Sequence, residues 1–198
     1  MKPALCRLFY MLQKIEYLNM LVEWNTNVQD RKFVASYSGG KDSSLALYKA
    51  IQMGEAIALI VMLEEQGQKS RSHGMSLDII HAQAKAIGLP IYSASATWQD
   101  YENQFIQLLQ KTQALGAETL VTGDIDLMAH AEWNQSVCDK SELSLCMPLW
   151  QRPRSDIVHE LIQLGFQSLI VTVNLNLGMT VEDLGQVLSL EYVNELVA

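Results

Sequence analysis

The sequence predicts an α/β protein: an open, doubly wound, mostly parallel sheet with an N-terminal amphipathic helix in front of it. Three observations lead there. Strand-like and helix-period segments alternate from Lys32 onward. The strand candidates are continuous apolar runs, as expected of strands buried on both faces of a parallel sheet. The first strand and first helix are joined by a tight glycine turn.

Residues 1–31 read as a helical extension, because Leu5, Leu8, Leu12, Ile15 and Val22 recur at helical spacing before the polar stretch Asn25–Asp30. Two accounts of it stay open. It is a helix packed on the domain or on a second subunit, which would give a homodimer, or the true start is Met20. Residues 32–198 then form the α/β domain. Phe33–Tyr37 is the first strand, Ser38–Ser43 the turn, and a helix follows to about Met53. Ile57–Leu63 is a buried strand, and the polar loop Glu64–Met75 leads to a helix over Ser76–Ile87, stopped by Gly88 and Pro90. A strand at Ile91–Ala94 precedes a helix over Asp100–Leu115 with Tyr101, Phe105, Leu108 and Leu109 on one face and Gly116 at its end. Thr119–Thr122 is a strand broken by Gly123-Asp124, and a helix runs over about Ala129–Cys138. After Pro148-Leu149-Trp150 come a helix over Ser155–Leu164 and a strand over Ser168–Val173.

Composition bounds the function. With 198 residues, 49% apolar and 18% charged, the chain can bury a sizeable core and is no disordered polymer. The longest apolar run, Ala56–Leu63, is too short to cross a bilayer, so no membrane partner is expected. Fourteen basic against 22 acidic residues leave a net charge of −8. The densest basic pairs, Lys69/Arg71 and Arg152/Arg154, are thin, so no nucleic-acid partner is expected either. Cys6, Cys138 and Cys146 form no CxxC, and His73, His81, His130 and His159 are scattered. Reduced thiols in the cytoplasm and no structural zinc are the expectation. Arg7, Lys14 and Glu16 interrupt the apolar start, which therefore does not read as a secretory signal.

The informative segment is Phe33-Val-Ala-Ser-Tyr-Ser-Gly-Gly-Lys-Asp-Ser-Ser44. Consecutive glycines let backbone N–H groups converge without Cβ obstruction. Ser38, Ser43 and Ser44 add hydroxyls, Lys41 a charge, and the helix N-terminus unpaired amides and a positive dipole end. Hydrogen bonds to a charged group contribute roughly 1.5–3 kcal/mol each, so several on one phosphate make an anion site. The segment lacks both G-x-x-x-x-G-K-[ST] and G-x-G-x-x-G, so neither the kinase-type loop nor the dinucleotide fingerprint applies.

Ser38-Gly-Gly-Lys-Asp-Ser43 resembles the PP-loop of the N-type ATP pyrophosphatases. That resemblance implies a Rossmann-like sheet of the adenine nucleotide alpha hydrolase type and cleavage of ATP between its α and β phosphates. It takes Ser36, Ser38, Gly39, Gly40, Lys41, Asp42, Ser43, Ser44, Leu63, His73, Gly74 and Gly123 as nucleotide-binding, with Leu63 ending the strand beside the adenine. Lys41 and Asp124 are the catalytic candidates. Lys41 would stabilise the leaving pyrophosphate, and Asp124 would orient the acceptor or hold Mg²⁺, with capping of the next helix as its alternative. Mg²⁺ is expected mainly on the phosphates, with Asp42 or Asp124 as its protein ligand.

His73-Gly74, Ala82–Pro90, Tyr101-Glu102 with Phe105, Gly123-Asp-Ile125, His130 with Trp133, Val137-Cys138 and Pro148-Leu-Trp150 follow the order of the diphthine–ammonia ligase branch. The likeness runs from about Phe33 to about Leu190. It implies ATP, Mg²⁺ and a carboxylate-bearing acceptor, in that branch a modified protein histidine, adenylated and then amidated by ammonia. Ala131 and Gln186 stand where the branch pattern has arginines, and no Gly-Glu-rich segment is present by Ala198. An ATP-binding module without ligase turnover is therefore the alternative. A tRNA-modifying ligase or thiolase on the same loop is a further one, opposed by the missing CxxC and basic surface. Salt titration against tRNA tests the charge argument. The net charge of −8 predicts no measurable affinity at physiological salt, and submicromolar, salt-sensitive binding would restore the thiolase reading.

Overall fold

The computed structural model describes Trp24 and residues 28–197. The expected amphipathic helix, Met20 and Cys6 lie outside the described residues. The chain divides into two compact units, residues 1–151 and 152–198, each taken by itself.

Among the described residues the first unit alternates strictly. The order is β1 Lys32–Ser36, α1 Lys41–Ile51, β2 Glu55–Leu63, α2 Leu77–Ile87, β3 Ile91–Ser95, α3 Tyr101–Ala114, β4 Thr119–Val121, α4 Met128–Asp139 and β5 Ser144–Cys146. The strands form one sheet in the order β3-β2-β1-β4-β5, every neighbouring pair parallel. Ala35 in β1 faces Leu59 of β2 on one side and Val121 of β4 on the other. The expected Rossmann-like architecture is what forms.

The apolar runs explain the layering. Ala58 to Leu63 are all buried, and alternate residues point to opposite layers. Val34, Ala58, Ile60 and Met62 join a core with Phe105, Leu108 and Leu109 of α3 and Ala131, Val137 and Cys138 of α4. Val61 and Leu63 pack instead with Ile80 of α2. Trp24 joins the first layer, its ring edge-on to Trp150 at 5.7 Å and its indole N–H donating to Gln135 at 2.9 Å. Gly88 ends α2 with φ of 84°, a left-handed conformation suited to glycine.

Two expectations need correction. β5 was not anticipated. Ser144-Leu-Cys146 is too short to show a period, and it becomes a strand because β4 offers an open edge, pairing Leu120 with Leu145. Ser168–Val173 is not a sheet strand. In the second unit it makes one antiparallel bridge, Leu169 to Val187, with Ile170 donating to the Gln186 carbonyl at 2.9 Å. Leu169 and Val171 stay more than half exposed, so an apolar run here does not mark a buried strand. The rest of that unit comprises helix α5, Arg154–Gln163, with Ile157 and Leu161 buried, 3₁₀ turns at Leu175–Leu177 and Val181–Asp183, and helix α6, Leu190–Val197. Hydrogen bonds from the Thr180 N–H, at 2.6 Å, and from the Tyr192 hydroxyl hold the Asp183 carboxyl below its ordinary pKa.

Strand order reverses between β1 and β4, which places a crevice at their carboxyl ends. There the backbone after β4 lies against the first turn of α1. A Cβ on Gly123 would sit 2.8 Å from the Asp42 carbonyl carbon and the Ser43 nitrogen, closer than real Cβ contacts allow. Both neighbours are backbone and cannot swing aside. Gly123→Ala is therefore expected to destabilise the protein by about 1–3 kcal/mol, the range for overpacking. That corresponds to a thermal midpoint lower by roughly 2–12 °C. An unchanged midpoint would show that this contact does not seat the helix.

Candidate functional site

The turn after β1 sets the first half of the site. Gly39 has φ of 78°, and Gly40 is extended and precedes α1 with no side chain capping the helix amides. The first-turn N–H groups thus keep their unpaired donors, which is where anions bind helices. The serines are arranged around them. Ser43 and Ser44 donate their hydroxyls to the Gly40 carbonyl at 3.0 and 2.9 Å, and Ser38 donates to Ser43 at 3.2 Å. Lys41 is bound by both oxygens of Asp42 at 2.7 Å.

The loop between β2 and α2 closes over this turn. Bridges between Leu63 and Ser70 and between Lys69 and Ser76 fold it back on itself, and Arg71 donates its N–H to the Met62 carbonyl at 3.0 Å. Gly74, with φ of 62°, makes the sharp turn that follows His73. The His73 imidazole lies directly on Gly40, where any Cβ would overlap it. A side chain at Gly39 would meet Met75 at 2.7 Å and Gln83 at 2.6 Å.

The second half is a cavity of about 700 Å³ next to the carboxyl ends of β1 and β4, with Ser36 and Thr122 in its lining. Asp124 lines one side. It accepts from His130 Nδ1 at 3.0 Å and from Asn134 Nδ2 at 2.8 Å, both on α4. The alternative role as helix cap is excluded, since Leu127 occupies that position. On the α3 side, Tyr101, Phe105 and Trp133 pack with ring centroids 5.1–6.2 Å apart. Burial pushes the Tyr101 phenol above its ordinary pKa, with Arg71 opposing and Asp124 adding to the effect, so it stays neutral at physiological pH. Glu102 accepts from Lys140 at 2.6 Å and from the Trp133 indole at 3.1 Å, and the lysine hydrogen bond chiefly holds its carboxyl below the usual range. Opposite stands Arg71, whose guanidinium lies 4.4 Å from the Trp98 ring centre and donates to the Ala96 carbonyl.

The structure brings most of the nominated residues together, in two groups. Ser38 to Ser44, His73 and Gly123 surround the start of α1, while Ser36 and Asp124 line the cavity. Leu63 and Gly74 do neither. The Leu63 side chain is buried against Ile80, its carbonyl accepts from Ala96 at 3.4 Å, and Gly74 shapes the loop. Trp150 and Cys138 are core residues. Burial pushes the Cys138 thiol up to about 12, with the Asp139 charge adding. Sequence reasoning missed Arg71, Trp98, Thr122 and Asn134 as site residues. Arg71 shares the long loop with His73, and Asn134 stands four residues after His130 on a helix, which were the available signals.

The residues present fit a nucleotide. The uncapped helix start offers unpaired first-turn amides to phosphate oxygens, and the glycines at 39, 40 and 123 let Met75, His73 and the α1 backbone pack close around it, where a Cβ would collide. Among the described residues no three His, Cys, Asp or Glu side chains converge as a metal site. Asp42 is engaged by Lys41, and Asp124 by His130 and Asn134, so a magnesium ion would be held chiefly through phosphate oxygens. No helix among the described residues is long and apolar enough to cross a membrane.

Known proteins similar to this chain are of two kinds, a curated sequence relative and solved structures. The chain is 24% identical over 178 residues to diphthine–ammonia ligase of Schizosaccharomyces pombe, an alignment covering 80% of this chain and 29% of that one. The chain thus spans under a third of that relative's length. Similar solved structures include a predicted subunit of tRNA methyltransferase from Methanocaldococcus jannaschii, with TM-score 0.49 and 16% identity, covering 73% of this chain and 80% of that one. A 4-thiouridine synthetase in complex with RNA and ATP gives TM-score 0.47 and 16% identity, over 68% and 41% of the two chains. The U34-tRNA thiolase of Methanococcus maripaludis gives 0.43 and 15%, over 70% and 59%. Residues 31–145, more than half the chain, match the family model of the diphthamide synthase N-terminal domain. The chain belongs to that family of PP-loop proteins.

Proposed function

We propose that this chain binds Mg·ATP with its phosphates on the Ser38–Ser44 turn and uses it to convert a carboxylate into an amide. A carboxylate oxygen attacks the α-phosphorus, the bond to the bridging oxygen breaks, and pyrophosphate leaves. Ammonia then attacks the acyl carbon, AMP departs, and a proton is released. The observation that carries the reading is the uncapped start of α1 at the reversal of strand order, with glycine backbone on both sides of it. The diphthine–ammonia ligase likeness supports the amide-forming direction.

Each residue then has a stated task. Lys41, moving from Asp42 to the β-phosphate, stabilises the charge that builds on the leaving pyrophosphate, as preorganised electrostatics do in phosphoryl and nucleotidyl transfer. First-turn amides of α1 and the Ser43 and Ser44 hydroxyls bind the same group. Asp124 acts through His130 and Asn134, fixing the α4 wall of the cavity in which the acceptor sits. A magnesium ion brought in on the nucleotide would supply neutralisation of phosphate charge.

Two measurements test this. Lys41→Ala should weaken Mg·ATP binding in calorimetry by about 1–3 kcal/mol, the range for losing a charged donor. Chromatography of the turned-over nucleotide should give AMP and pyrophosphate. Unchanged affinity would move the phosphates off the turn, and ADP with inorganic phosphate would refute cleavage at the α-phosphorus.

A further inference from the structure

The cavity is unevenly satisfied. Its acids already have partners: Asp124 holds His130 and Asn134, and Glu102 holds Lys140 and Trp133. Its donors do not. The Arg71 side chain is 11% exposed, and its nearest carboxylate, Glu65, is 4.0 Å away and itself half exposed. One Nη2 bond goes to the Ala96 carbonyl, while Nε is buried with no hydrogen-bond partner. The Thr122 hydroxyl, in the same lining, is also buried without a partner. A guanidinium only donates, and a hydroxyl can donate, so both call for acceptor atoms. Leaving such groups unpaired in a desolvated place is costly, most of all for a charge.

We propose that this cavity is a carboxylate-binding site, in which Arg71 and Thr122 receive the carboxylate of an acceptor with an apolar or aromatic body. The proposal rests on the ligase reading and deepens it by naming the residues that hold the acceptor's carboxylate and the kind of body it carries. The guanidinium carbon is held 4.4 Å from the Trp98 ring centre, and a guanidinium is a planar fork suited to a planar carboxylate. Tyr101, Phe105 and Trp133 give the apolar surface for the acceptor's body. None of the turn residues Ser38 to Ser43 lines the cavity, which separates this oxyanion from the phosphates. Holding the acceptor's charge on Arg71 also lessens its repulsion from the phosphate it must approach.

The test uses the full chain with saturating Mg·ATP, and benzoate and 3-phenylpropionate as probes, each against its own amide. Binding is read by calorimetry and by tryptophan fluorescence, with Trp98→Phe to assign the signal of the exposed indole. The carboxylates should bind at least about tenfold more tightly than the amides, and Arg71→Gln should erase that preference, as loss of a charge-assisted bond does. Arg71→Lys should restore part of it. Thr122→Val, which keeps shape and loses only the hydroxyl, should weaken the carboxylates alone, and it carries the test if Arg71→Gln fails to fold. Equal binding of acid and amide, or preference unchanged in both Arg71→Gln and Thr122→Val, overturns the proposal. So does an Arg71→Gln variant that loses Mg·ATP affinity but keeps the carboxylate preference, which would place a phosphate on Arg71. Wild-type protein that binds no Mg·ATP would instead refute the ligase reading, leaving the carboxylate comparison to be judged by itself.

Discussion

Everything at the site depends on how closely the backbone after β4 approaches the first turn of α1. The approach is set by strand order: β1 lies between β2 and β4, and the chain crosses to the far side of β1 only after β3. At the carboxyl end of that seam Gly123 has no side chain, and none would fit. Were a Cβ there, it would push against the peptide whose N–H groups are the site's strongest fixed dipoles. The uncapped helix, the glycine turn and the His73 imidazole on Gly40 all lie beside this tight seam.

Two polar systems flank the seam, and they differ in completeness. Around Asp124 the bonds close on themselves through His130 and Asn134, which fixes the start of α4. Around Arg71 they do not close. Its loop is held at the backbone by Met62 and at the side chain by Ala96, so a cation is fixed in place without a bonded counter-charge. An incompletely satisfied donor beside a satisfied acceptor is the arrangement the proposed carboxylate site needs. Packing between Trp98, Tyr101, Phe105 and Trp133 gives the wall its rigidity.

Much of this was legible in the sequence, for physical reasons that can be named. Ala58 to Leu63 could be read as a strand because burial on both faces demands an unbroken apolar run. The segment from Ser38 to Ser43 could be read as a tight strand-to-helix turn because paired glycines accept the left-handed backbone that Gly39 takes. β5 was not legible, since three residues carry no period and only the neighbouring β4 makes them a strand. Ser168–Val173 misled because its apolar residues stay exposed and pair once with a nearby segment. Arg71 and Trp98 escaped notice because their contact joins residues 27 positions apart, after a fold-back that nothing local announces. Asp124 stayed ambiguous until the start of α4 was fixed at Met128, which turned a cap into a partner of His130 and Asn134.

The central claim is that nucleotide phosphates rest on the start of α1 at the β1–β4 seam. Amide hydrogen exchange with and without Mg·ATP tests it most directly, because it reads those N–H groups themselves. The account predicts strong added protection at residues 39–44, with lesser protection at 122–124. Saturating nucleotide that leaves residues 39–44 unprotected while protecting another segment would contradict it.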